Sequence, residues 1–337
     1  MIIYYLFPFL SMFLSFFTSK SEKKIIYYFL LFFTILLTGL RWEIGTDWDT
    51  YYLWFIDRNI FILNSNFNYF ELFKFFPNYT AVLLFISLLF YSGSAVYFKK
   101  SLPKYYIIAF VLYYFTTIGA LGANRQMLSV GLIFFGYLSK NKYTKYLVYF
   151  VSIIFHESAI LAFPLFLSDR LHKKILNYSI QILLCALLFI FFKEINLLEK
   201  ILNFSLKYDL SKLIAYSTRM SDGLTETPGI FGSIKRIFFL IIFYLNRNIL
   251  DQKKYNFYIF ITILYFMFKD LIPVVVNRGV AFLAFIEIEL LIASLLNQKF
   301  KKFREFAVFL ILAYATLVFY KSISFFYDLF VPYNSIF

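Results

Sequence analysis

The sequence predicts an all-α protein: a polytopic helical bundle integral to a membrane, forming one transmembrane domain over residues 1–337. Three observations carry this expectation. Of the 337 residues 61% are hydrophobic and 15% charged, with mean hydropathy +0.73, too apolar for an ordinary water-soluble domain. Apolar runs of bilayer-spanning length recur along the whole chain. Those runs are solid stretches of Phe, Leu, Ile and Tyr, without the period-2 alternation of membrane-barrel strands. Aromatic residues make up 24%, standing where Leu and Ala are usual, which reads as a compositional bias.

In chain order, about eleven segments are expected, at 2–18, 25–40, 80–98, 105–121, 124–139, 146–168, 175–192, 234–250, 255–276, 279–297 and 306–322. Met1 to Phe17 lacks the basic n-region and small-residue cleavage site of a signal peptide and is read as a retained first span. Six basic groups punctuate the rest: Lys20/Lys23/Lys24, Lys99/Lys100/Lys104, Lys140/Lys142/Lys145, Arg170/Lys173/Lys174, Arg247/Lys253/Lys254 and Lys299/Lys301/Lys302/Arg304. Short groups of this kind beside apolar runs are cytoplasmic orientation signals, and they account for the net charge of +14 without nucleic acid. His172, in the fourth group, is read as solvated.

The segment from Lys145 to Arg170 carries basic groups at both ends, which one crossing cannot reconcile with this rule. A helical hairpin can: Tyr146 to Phe155 rises, the chain turns near His156-Glu157-Ser158, and Ala159 to Leu167 descends. A single full crossing is the alternative. Non-helical backbone at membrane depth demands protein or water around it, so the hairpin implies a polar cavity at His156. The outer face then receives loops at about 41–79 and 193–233, the turns at Gly122 to Arg125 and Asn277-Arg278, and the tail from Tyr327. Within 193–233, Ile195, Leu198, Ile201 and Leu202 have the spacing of an interfacial helix, and the stretch from Ser221 to Gly229 suits a lid. Cys185 is the one cysteine, so no intrachain disulfide forms.

Chemistry is expected where charge stands against these rules. Arg41, Arg125 and Arg278 are single arginines at outer helix ends. Guanidinium stays ionised and grips phosphate oxygens in two-pronged geometry, so three converging arginines suit a pyrophosphate; a snorkelling side chain is the alternative for each alone. His156 is the histidine within a span, suited to proton transfer near neutral pH, with Glu157 beside it to orient or balance it, or else a helix-packing residue. Asp47 follows Gly45-Thr46 and either points toward Arg41 or caps the helix that begins at Trp48. Trp42, Trp48, Tyr51, Tyr52 and Trp54 either stack on sugar faces or form an interfacial belt, the latter being the better reading for Trp54. Lys269-Asp270, near Pro273, and Glu287 and Glu289 are further intramembrane charges without an assigned role. No phosphate-binding glycine loop, Cys/His metal spacing or nucleophile elbow occurs, so no metal and no cofactor is expected.

Arg41 with Gly45-Thr46-Asp47 and Tyr51/Tyr52, then Asn124-Arg125-Gln126, then Phe155-His156-Glu157-Ser158-Ala159, followed by Arg278 and Val331-Pro332-Tyr333, form an ordered series. In that order and spacing the chain resembles the EpsG-type branch of the Wzy polymerases, which build O-antigen, capsule and exopolysaccharide. The resemblance implies a glycosyltransferase-C-like bundle in the bacterial cytoplasmic membrane and a metal-independent glycosyltransferase facing outward. Its donor would be a glycan on undecaprenyl pyrophosphate, its acceptor one lipid-linked repeat unit, and its pathway partners a flippase and a chain-length regulator. In that setting Arg41, Arg125 and Arg278 hold the pyrophosphate, His156 or Asp47 is the base, Glu157 supports it, and Trp42, Trp48 and Tyr52 hold glycan. A ligase using the same donor is the nearest alternative. A lipid-linked oligosaccharide flippase would call for an internal repeat and a deep basic ladder, neither of which the sequence has.

Overall fold

The computed structural model describes residues 2–45, 47–56, 75–118, 123–167, 230–268, 284–296 and 304–324. Twelve α-helices lie among them: α1 Ile2–Leu14, α2 Lys20–Gly39, α3 Trp48–Ile56, α4 Tyr79–Ser101, α5 Tyr106–Thr117, α6 Asn124–Leu138, α7 Lys142–Phe155, α8 Phe163–Phe166, α9 Ile230–Leu245, α10 Gln252–Phe268, α11 Ala284–Leu296 and α12 Arg304–Ser324. The chain divides into two compact units, Met1–Ile160 with Leu295–Phe337 and Leu161–Ser294.

In the first unit, local signals set the helix starts. Ser19 and Glu22 form a capping box at α2: the Glu22 amide donates to Ser19 Oγ at 3.4 Å and the Ser19 amide to Glu22 Oε2 at 2.6 Å. Asn78 caps α4 by accepting from the Ala81 amide at 2.8 Å, and Lys99 and Lys100 close that helix where cations favour the dipole. Twenty residues of α2 make a rod of about 30 Å, the thickness of a bilayer core. Among the described residues α4 alone combines the length and apolarity of a complete span, while α1, α5 and the apolar part of α12 are shorter. A helical membrane bundle fits these helices, of which one among the described residues meets both criteria expected of the eleven segments the sequence suggested.

The short α5 is the axis of this unit: every residue from Tyr106 to Phe115 is buried, with α1, α2, α4 and α12 around it. The aromatic bias supplies the packing. Tyr27 of α2 meets Tyr106 edge-on at 4.6 Å and donates its hydroxyl to the Ala95 carbonyl of α4 at 2.7 Å. Phe90 of α4 stacks on Tyr113 at 5.4 Å, and Tyr113 meets Phe134 of α6 at 5.8 Å. Tyr5, Phe115 and Phe319 join α1, α5 and α12, with centroids 5.0–5.8 Å apart. Gly39 lets α2 touch α4, since a Cβ there would stand 2.9 Å from Leu84 Cα. These contacts run α2 antiparallel to α4 and α4 parallel to α6, so the lysine-rich ends of α2 and α4 meet at one end, and Arg41, Tyr79 and Asn124 at the other.

The expected span at 146–168 is broken. Fourteen residues of α7 rise only about 21 Å, less than a bilayer core. At His156 the backbone is extended, with φ −152° and ψ 115°, and a 3-10 helix, Glu157–Ala162, follows. The Tyr149 hydroxyl donates to the Ile160 carbonyl at 3.1 Å, so Ile160 lies back alongside the middle of α7. The chain doubles back at His156.

Outward faces are apolar at helical spacing, as in Ile25, Tyr28, Phe29 and Phe32 of α2 and Tyr143, Tyr146, Leu147, Phe150 and Ile154 of α7. Such stripes in water would drive aggregation; in hydrocarbon they cost nothing.

In the second unit, α9 ends at Leu245, before the expected 250, and packs on α10 through Phe243 and Tyr258 at 4.9 Å. Glu287 and Glu289 of α11 accept from Lys235 at 2.7 Å and Lys254 at 2.6 Å. Lys254, expected as part of a cytoplasmic orientation signal, is 6% exposed, and a carboxylate within the unit holds its charge. Arg236 lies 3.8 Å over the Tyr265 ring. The segment expected at 175–192, the interfacial helix and lid, Cys185, His172, Lys269, Asp270, Pro273, Arg278 and the tail lie outside the described residues.

Candidate functional site

The site is assembled at the end of the first unit where α2 stops and α6 begins. Arg41 directly follows the C-terminal end of α2 and folds back over it, its Nη1 donating to the Thr38 carbonyl, one of the last carbonyls a helix leaves without an internal partner. Nη2 donates to Asn124 Oδ1 at 2.6 Å, and Asn124 Nδ2 donates to Tyr79 Oη at 3.0 Å. Arg41 is 1% exposed and Asn124 0%, so a cation is held inside the bundle by groups from α2, α4 and α6.

Between Arg41 and Asp47 the backbone turns tightly. Glu43 has φ 53° and Gly45 φ 114°, the second a conformation that a side chain strains. The Gly45 carbonyl accepts from the Trp48 amide at 3.3 Å and the Asp47 carbonyl from the Tyr51 amide at 3.1 Å, which puts Asp47 at the cap position of α3. Of the two sequence readings of Asp47, the backbone places the residue at the cap position of α3.

Trp42, Trp48 and Tyr52 form one aromatic stack. Trp48 and Tyr52 lie nearly parallel at 4.7 Å, Trp42 meets Trp48 edge-on at 4.9 Å, and Tyr79 closes the group 5.6 Å from Trp48. Trp48 is buried, whereas Trp42 and Tyr52 are half-buried and present ring surface outward.

Arg125, the second residue of α6, donates from Nε to the Phe155 carbonyl at 3.2 Å. It thus stands against the C-terminal end of α7, where a cation complements the dipole. Ala123 provides no side-chain cap for α6, so the first amides of that helix share their end with the Arg125 guanidinium, a pairing suited to an anion. His156, next to Phe155, holds Ser158 Oγ at 2.6 Å through Nδ1, and Ser129 Oγ donates to the Ser152 carbonyl at 2.7 Å to fix α7 on α6. His156 is half-buried and Glu157 exposed.

Three motifs far apart in the sequence are thereby joined: Asn124 binds Arg41, its chain neighbour Arg125 binds Phe155, and Phe155 precedes His156. Arg278, the third arginine expected here, lies outside the described residues. Asn124 and Tyr79 received no role from the sequence. The only signal for Asn124 was its place beside Arg125, and for Tyr79 its position at the start of an apolar run.

A polytopic helical membrane protein with a buried arginine network at one end of its bundle is the class that fold and site define. The family model described as "EpsG family" matches residues 24–335, nearly the whole chain. The chain belongs to the EpsG family, a family of Wzy-type polysaccharide polymerases, and is thus a membrane protein of polysaccharide biosynthesis. No curated protein and no solved structure matches it.

Proposed function

We propose that this chain is a glycosyltransferase that polymerises undecaprenyl-pyrophosphate-linked repeat units at the outer face of the bacterial cytoplasmic membrane. The observation that carries the reading is the hydrogen-bonded link from Arg41 through Asn124 to the Arg125–His156 corner. A hydroxyl of the acceptor repeat unit attacks the anomeric carbon of the donor glycan. The new C–O bond forms as the bond from that carbon to the pyrophosphate oxygen breaks, and the electron pair leaves on the lipid pyrophosphate. The hydroxyl proton passes to His156 or to Asp47.

Arg125, with the α6 amides, and Arg278 take the phosphate oxygens as negative charge grows on them. Arg41, buried, acts as a positioning residue that holds Asn124 and the start of α6 and adds its field to the site. Ser158 at Nδ1 orients the His156 ring so that proton transfer runs through Nε2, with Glu157 supporting the imidazolium. Trp42 and Tyr52 offer ring faces to sugar, with Trp48 beneath them.

The test is mass analysis of glycans formed by the purified protein from one synthetic lipid-linked repeat unit. A ladder of oligomers with released lipid pyrophosphate is expected. Transfer only to an unrelated acceptor would make the protein a ligase, and movement across vesicle membranes without new glycosidic bonds would make it a flippase.

A further inference from the structure

At the opposite end of the first unit, the fold gathers two basic groups that lie far apart in sequence. Lys20, Lys23 and Lys24 from the first turns of α2 and Lys99 and Lys104 from the end of α4 and the turn after it line one cleft of about 660 Å³. That size falls within the roughly 300–1,000 Å³ of small-molecule sites. No acidic residue lines it, and among the described residues no carboxylate pairs with any of the five lysines. Glu22, the nearest acid in sequence, is engaged in capping Ser19. Lys99 is held in place by the Tyr28 hydroxyl at 2.8 Å.

We propose that this cleft binds a phosphate-bearing anion, either the headgroup of an anionic phospholipid or a soluble phosphate compound. Five like charges around one hollow repel one another, and a di- or polyanion relieves that repulsion. The backbone adds to the field: Tyr105 stands at the start of α5 without a side-chain cap, and Tyr105, Tyr106 and Ile108 border the same cleft, so the amide-rich end of a twelve-residue helix faces it. Ser15 and Phe16 at the end of α1 form another wall, next to exposed Phe13, Leu14 and Phe17. Apolar surface beside a basic hollow suits acyl chains beneath a phosphate headgroup, as in basic pockets between transmembrane helices. Neither motif nor geometry of the polymerase site enters this inference, and its failure would leave that site untouched.

The test uses the purified full-length protein in a neutral detergent, with native mass spectrometry and thermal melting as readouts. Cardiolipin, phosphatidylcholine and inorganic pyrophosphate are added separately. Retained cardiolipin and a raised melting temperature, with no such effect of phosphatidylcholine, are expected. At about 1 kcal/mol per lysine near a charged headgroup, about fivefold in affinity each, K23Q/K104Q weakens cardiolipin binding on the order of 30-fold. K23R/K104R keeps it, and K140Q/K142Q leaves it unchanged. If pyrophosphate alone raises melting of the wild type but not of K23Q/K104Q, the source is a soluble phosphate. Equal effects of cardiolipin and phosphatidylcholine on the wild type together with no effect of pyrophosphate, or an effect of cardiolipin or pyrophosphate that is the same in the wild type and K23Q/K104Q, overturn the proposal. Should K23Q/K104Q fail to fold, competition of pyrophosphate against cardiolipin on the wild type decides the matter: binding of neither, or no dependence on salt, overturns it.

Discussion

Arg41 and Arg125 look alike in sequence, yet their surroundings assign them different work. Arg41 is sealed between Thr38 and Asn124, so Arg41→Ala removes the cation for which Asn124 and Tyr79 are arranged. Arg125 keeps part of its surface, and among the described residues its guanidinium makes one hydrogen bond, from Nε. Arg125→Ala is expected to lower polymerisation on the order of 10²-fold while the protein stays in the membrane, measured as loss of long glycan with single repeats retained. Unchanged modal glycan length would remove Arg125 from the site. For the base, the pH profile discriminates: if His156 accepts the proton, activity falls toward acid pH, this limb persists in Asp47→Asn, and His156→Gln abolishes activity. Gly45→Ala places a side chain at φ 114°, at a cost of about 1–3 kcal/mol, and displaces Asp47 and Trp48 together; its activity loss should exceed its change in melting temperature.

At the scale of elements, the site depends on how closely α2 approaches α4. Gly39→Ala would set a Cβ 2.6 Å from Leu84 Cδ2 and 2.9 Å from its Cα, so the helices must separate, at about 1–3 kcal/mol. Because Gly39 lies two residues before Arg41, both the melting midpoint in detergent and polymer yield should fall; a melt like the wild type's would mean that the contact tolerates the methyl. The break after α7 belongs to the same scale. Basic groups at both ends of the segment predicted a hairpin, and the Tyr149–Ile160 bond folds the first residues after the break back along α7. In α11 the two carboxylates lie two residues apart, on different sides of one helix, and each meets a lysine from a different neighbour. Glu289→Gln strips the nearly buried Lys254 of that carboxylate and should cost about 3–5 kcal/mol, whereas replacing both by apolar residues of similar size should recover much of it. Equal melting of the single variant and wild type would show that the pair contributes nothing.

Over the whole first unit, one end carries Lys20, Lys99 and Lys140 and the other Arg41, Tyr79, Asn124 and His156. With Cys185 replaced by Ser, single cysteines at Ser21 and Ser139 should react with a membrane-impermeant reagent only from the cytoplasmic side, and one at Glu43 only from outside. Labelling of Glu43 and Ser21 positions from the same side would invert or abolish the proposed orientation. One set of helices thus carries two cationic ends: lysines around a cleft at one, and buried or half-buried arginines at the other.

Composition and run length settled by themselves that the chain is a helical membrane protein, because a bilayer admits few ways to satisfy a backbone. The order of Arg41, Asp47, Asn124-Arg125 and His156 also stood in the sequence, since each breaks a rule that its neighbours obey. Which of those groups touch was not legible there. Asn124 became the bridge between Arg41 and Tyr79 only once α4 and α6 lay parallel, and Lys254 became a buried ion only once α11 presented Glu289 to it. Such contacts depend on helix crossing and rotation, which close packing fixes and which sequence periodicity leaves undetermined. The same holds for the lysine cleft: the sequence showed two separate basic groups, but only tertiary packing brought α1, α2, α4 and α5 around one hollow.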